Sequence, residues 1–267
     1  MSNGGGASKT PEELAVDQRR AEANKWKRIY KGTQFTKKVL TGIVASAAAF
    51  ATFHFATIDS ADKPYKPGSD RWTVKTSIVE DEEREIGMSD LVKLELLPKV
   101  VKKDFEDKRI DLESSQGYRE GMMVETVGYI HYAHRDANDS DYHVQMNDKA
   151  TNSLTDQKSC VIVEVPHPQA ALDNNDEVLA QLLTDARKFI RDNCFHGKEP
   201  GGKVEPPLRV EVVGQLFYDL HHAPTKAGGD PGGGRGKALD KGAPRMMATT
   251  IWEIHPVTGF KLAPLQP

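Results

Sequence analysis

From Met122 onward the chain alternates apolar and polar residues over short stretches separated by turn formers. Alternation with a period of two marks half-buried strands. "MMVETVGYIHYAHRD" predicts a long first strand with Gly128 at its middle, where a strand bends or bulges. The turn "DANDS" leads to a second strand, "DYHVQMND", and "SCVIVEVPHP" is a third, stopped by Pro166 and Pro168. The period then changes. Val178, Leu179, Leu182, Leu183, Ala186, Phe189 and Ile190 recur at helical spacing within "DNNDEVLAQLLTDARKFIRDNCFHGK", an amphipathic helix that Gly197 closes. "LRVEVVGQLFYDL" returns to period two with Leu208, Val210, Val212, Leu216 and Tyr218 on one face, and "TTIWEIHPVTGFKL" is the fifth strand. Three strands, a helix and two strands, with a long bent first strand, is the order of an OB-fold. The expected class is therefore α+β, mainly β: a five-stranded Greek-key barrel with one helix between strands three and four.

Upstream of the barrel the pattern is different. "VLTGIVASAAAFATFHFATI", Val39 to Ile58, runs for twenty residues without a formal charge. A helix needs about twenty predominantly apolar residues to cross the hydrocarbon core of a bilayer. Charge then sharpens the picture. The chain holds 36 Lys and Arg against 39 Asp and Glu, but residues 1–38 carry nine bases and four acids, a balance of +5, and the remainder is −8. Basic residues before the run, with Asp59 and Asp62 after it, give a positive-inside orientation: N-terminus cytoplasmic, C-terminal domain periplasmic or extracellular. A buried Ala-rich helix and a cleaved signal peptide are the alternatives. The first conflicts with the lack of a polar stripe, and the second with the length of the segment before the run. Gly42, Ser46 and Ala49 share a face at small-residue spacing, which suits packing against other transmembrane helices.

The expected organisation has four parts. Residues 1–38 are a cytoplasmic segment whose basic helix starts at a capping box, Thr10, Pro11 and Glu13. Residues 39–58 are the transmembrane helix, and residues 59–120 a linker and wrapping segment, strand-like over Trp72–Ile78. Residues 121–267 are the external barrel. Cys160 and Cys194, the two cysteines, leave two alternatives open: one disulfide, or two buried thiols.

Few motifs carry chemistry. The loop "AGGDPGGGRGKALDKGAP" fails as a phosphate-binding loop, because Pro231 and Ala238 stand where that motif needs Gly and Ser or Thr. The strand carboxylates Glu125, Glu164, Glu211 and Glu253 lack the convergent arginines that a nuclease needs, Arg209 being the one interior strand arginine. Tyr129, Tyr132, Tyr142, Phe217 and Trp252 could stack bases, but a −8 external part argues against nucleic acid. Asp219, His221, His222, Glu253 and His255 are the candidate metal ligands, since strands four and five are hairpin partners. The competing reading is a polar network bracing one barrel end. Alternation then puts Trp252 and Ile254 in the core and turns Glu253 and His255 outward.

"RWTVKT", "SDYHVQM", "CVIVEVPHP", "VVGQLFYDLHH" and "WEIHPV" together resemble a family of uncharacterised bacterial exported proteins with an OB-fold, distantly similar to the staphylococcal nuclease barrel. The resemblance covers about residues 70–262 and implies fold and location, with no activity to transfer. The expectation is a non-enzymatic, single-pass protein of the cytoplasmic membrane without catalytic residues or cofactor. Its partners are the lipid bilayer and other membrane proteins, as an accessory or structural subunit of a membrane complex. A periplasmic metal- or ligand-binding enzyme using the barrel end, and an oligonucleotide- or glycan-binding module, are the alternatives.

Overall fold

The computed structural model describes residues 71–79, 81, 83–97, 100, 105, 108–150, 160–220, 222 and 248–264, all within one of the two units of the chain, Ala61–Pro267. The expected transmembrane helix, with Gly42, Ser46 and Ala49, the basic N-terminal helix, His221 and the glycine-rich loop lie outside the described residues. Among those described, no helix is long and apolar enough to cross a membrane.

The elements are α1 Trp72–Lys75, β1 Glu83–Glu85, α2 Met88–Leu91, β2 Met123–Arg135, β3 Tyr142–Asn147, β4 Cys160–Val165, α3 Pro168–Asp173, α4 Glu177–Cys194, β5 Gly201–Tyr218 and β6 Ala248–Leu262. Strands β2 to β6 close a five-stranded mixed barrel in the order β2-β3-β4-β6-β5, with β5 returning to β2. The β4–β6 pair is parallel and the other barrel pairs are antiparallel. Helix α4 falls between β4 and β5, an arrangement consistent with the OB-like barrel expected. β1 adds in parallel along the first residues of β2.

Alternation built this barrel. Val124, Val144, Met146, Val161, Val163, Val165, Val210, Val212, Leu216, Trp252 and Ile254 are buried in one core, and Leu179, Leu183, Ala186 and Ile190 of α4 join it. Burying each of the larger side chains stabilises the fold by roughly 1.5–3 kcal/mol. Asp176 caps α4 by accepting from Leu179 N at 3.0 Å. Trp252 is fully buried, and its Nε1 donates to Glu95 O at 2.8 Å, so the segment before the barrel closes over its end.

Three local expectations change. Trp72–Ile78 does not form a strand. Its first residues make a helical turn in which Lys75 N and Thr76 N donate to Arg71 O and Trp72 O. Arg71, at φ 55°, fixes that turn by a bidentate pair with Glu120 at 2.8 and 2.5 Å, both side chains being buried. Strand β5 begins at Gly201, seven residues before Leu208, where the alternation starts the fourth strand. Pairing skips from Ile130↔Leu208 to Tyr132↔Lys203, so Pro206 and Pro207, which have no N–H, sit in an irregularity rather than in the ladder. The shift in β2 falls between Ile130 and Tyr132, past Gly128. Gly128 serves close approach instead: a Cβ there would stand 2.7 Å from Asn147 O and from Met88 Cε.

Candidate functional site

The faces of β3, β4 and β6 that point away from the barrel core carry a row of polar side chains. Register builds the row. His134 of β2 pairs with His143 of β3, His143 pairs with Glu164 of β4, and the parallel step Val163↔Ile254 sets Glu164 beside His255 of β6. Adjacent strands are under 5 Å apart, so one row brings side chains from four strands into contact. The rings of His134 and His143 lie 5.0 Å apart. Asp141, two residues before His143, joins the same face from the β2–β3 turn.

The geometry centres on His255. Its Nδ1 lies 2.9 Å from Glu164 Oε2 and 3.6 Å from Glu253 Oε2, and its Nε2 lies 3.5 Å from Asp141 Oδ2. His255 is 0% exposed, Asp141 and Glu253 1% each, and Glu164 8%, so bulk water does not screen them. Neither ring nitrogen of His255 nor Asp141 Oδ2 makes an aligned hydrogen bond, despite the short approaches. The other oxygens are held. Glu164 Oε1 lies 2.8 Å from His143 Nδ1, and Asp141 Oδ1 accepts from His167 N at 3.2 Å. The turn carrying Asp141 is held by Arg187 of α4, whose Nη1 donates to Ser140 O at 2.9 Å and whose guanidinium stacks on Tyr142 at 3.6 Å. Phe217 of β5 packs 5.6 Å from the His255 ring, and Lys75 Nζ sits 5.4 Å from the Phe217 ring.

Burial and charge act in opposition here. Burial pushes the Asp141 carboxyl up to about 8, aided by the charge of Asp139 and opposed by His255. Burial would lower His255, but the charge of Glu164 and the close approach of the Glu164 and Glu253 carboxylates to Nδ1 outweigh it and lift the imidazole to about 9. Burial likewise works against the charged form of Glu164, yet His255, His143 and Lys75 hold it well below the usual carboxylate range. Lys75 is raised: the charges of Glu164, Glu253, Asp219 and Asp141 overcome its desolvation. The cluster is therefore a buried acid–base network that keeps protons on His255 and Asp141 at neutral pH.

The five candidate ligands are not gathered as one set. Glu253 and His255 share a face, opposite the core residues Trp252 and Ile254, but that face is covered rather than turned to solvent. They meet Asp141 and Glu164, not the "YDLHH" end of β5. Asp219 and His222 pair with each other at 2.5 Å, and His221 lies outside the described residues. One donor atom each from Asp141, Glu164 and His255 lies within 4.8 Å of the others. The sequence did carry a signal for the missed members. Glu164 is an acid within an otherwise apolar strand, and Asp141 and His143 alternate onto one face. Cys160 and Cys194 are not joined by a disulfide, and burial pushes the Cys194 thiol up to about 12.

No family model, no curated protein and no solved structure matches this chain.

Proposed function

We propose that the protein is a single-pass, membrane-anchored, non-enzymatic accessory subunit whose OB-like barrel binds partner proteins outside the cytoplasmic membrane. The observation that carries this reading is the charge-free run Val39–Ile58, preceded by a +5 segment and followed by a −8 remainder. The small-residue face Gly42, Ser46 and Ala49 favours a helix that packs against other membrane helices. Two further observations favour a binding role over phosphodiester chemistry. The strand carboxylates divide into separate groups, Glu164 with His255 and Glu211 with Lys261. Arg71, which stacks on Phe217 beside the His255 ring, directs its nitrogens to Glu120 and to the carbonyls of Phe105, Lys108 and Tyr218. It has no donor left for a transition-state charge.

The test is native purification from membranes in mild detergent, with mass-spectrometric identification of companions. The expected result is stable co-elution with at least one larger membrane protein. That association should weaken when Gly42 and Ser46 are both replaced by Ile. Elution as a monomer without companions contradicts the reading.

A further inference from the structure

We propose that Asp141, Glu164 and His255 form a binding site for one divalent transition-metal cation of the zinc class, joining strands β4 and β6 to the β2–β3 turn. The inference does not depend on the membrane reading, since all three residues belong to the barrel.

Geometry supplies the first argument. Three residues from three separate parts of the chain, 91 positions apart at most between consecutive members, bring one donor atom each to within 4.8 Å of the others. Metal bonds of about 2.0–2.2 Å then require each side chain to close in by less than ~1 Å. Three protein ligands from imidazole and carboxylate, with the fourth position left to water, make up a tetrahedral zinc shell.

The second argument is independent of clustering. Asp141 Oδ2 and His255 Nε2 are buried, have no aligned hydrogen-bond partner and face each other at 3.5 Å. Buried polar atoms are almost always paired, so two that face each other without an aligned bond mark a place for a ligand. The surroundings of these atoms are built with care. His167 N holds Asp141 Oδ1, His143 holds Glu164 Oε1, and Arg187 pins Ser140 O. Such outer contacts orient metal ligands by fixing the atom that does not bind.

Donor chemistry supplies the third argument and narrows the ligand. Among the described residues, the carboxyls of Asp141, Glu164 and Glu253 stand around the His255 ring, and Lys75 is an ammonium on which all three act. An imidazole among carboxylate donors selects zinc or iron over calcium and magnesium, which take oxygen shells.

The experiment uses the full chain in detergent, stripped with chelator and titrated with zinc by calorimetry, with metal content checked by mass spectrometry. We expect uptake of about one zinc per chain and a rise in Tm on loading, because a ligand that binds only the folded state stabilises it. Asp141→Asn is the informative variant, since Asn retains the Oδ1 acceptor for His167 N and loses only the ligating oxygen. It should lower zinc affinity by roughly a hundredfold or more and abolish the Tm rise. Glu164→Gln should do the same, while exposed His196→Asn should leave both unchanged. Absence of uptake overturns the proposal. Uptake that Asp141→Asn changes by less than about tenfold overturns it equally, and assigns the zinc to the surface.

Discussion

Glu125 illustrates how much a single residue's surroundings decide. Burial, and the neighbouring charge of Glu211, push its carboxyl up to about 7, with Lys261 opposing. A carboxyl raised in the folded state favours folding below its unfolded value, about 4.5, and that contribution is lost as pH rises through 7. Stability should therefore fall between pH 4.5 and 7, and Glu125→Gln should remove that slope. Because Glu125 is partly exposed, solvent screening reduces the effect, and we expect the variant to be more stable by about 1 kcal/mol at pH 8. Urea unfolding at pH 5 and pH 8 checks this; a variant that is less stable than the parent at pH 8 contradicts it. Gly214 of β5 lies against β6: a Cβ there would meet Ile254 Cγ2 at 2.5 Å and Pro256 O at 2.6 Å. Gly214→Ala should destabilise by about 1–3 kcal/mol in the same assay, and an unchanged midpoint would show that the strands part freely.

At the scale of elements, the segment before the barrel is tied to it by polar contacts as much as by apolar ones. Arg71 and Glu120 form a buried pair, and Glu120 also accepts from Ile110 N at 2.6 Å and Tyr218 N at 3.1 Å. Removing one partner leaves the other charged and buried. Arg71→Met should therefore cost about 3–5 kcal/mol, read as a shifted urea midpoint. A loss under 1 kcal/mol would mean that the pair is dispensable. The sequence showed the elements unevenly, for physical reasons. Val210, Val212, Trp252 and Ile254 could be placed on a core face because period two is a local property. "WTVKT" reads as a strand and forms a helical turn instead, because its fate depends on Arg71 reaching Glu120, 49 positions away. Likewise "GGKVEPP" contains residues that interrupt a ladder, and only the partner register shows that they fall in an irregularity.

For the whole molecule, the site was half legible. Glu253 and His255 were recognisable as a pair by alternation. Their company was not, since the parallel β4–β6 register and the turn held by Arg187 bring Glu164 and Asp141 to them. Hairpin proximity pointed toward Asp219 and His222, which instead pair with each other. The charge pattern of residues 1–58 predicts an inside, a span and an outside, and the proposed anchoring rests on it. Protease accessibility on intact spheroplasts, using a chain tagged at each end, tests the proposed anchored topology. We expect a membrane-bound protein that sediments with membranes after carbonate washing, whose C-terminal tag is removed by external protease while the N-terminal tag survives until lysis. A chain recovered in the soluble fraction, or a C-terminal tag protected in intact spheroplasts and cut only on lysis, would contradict it.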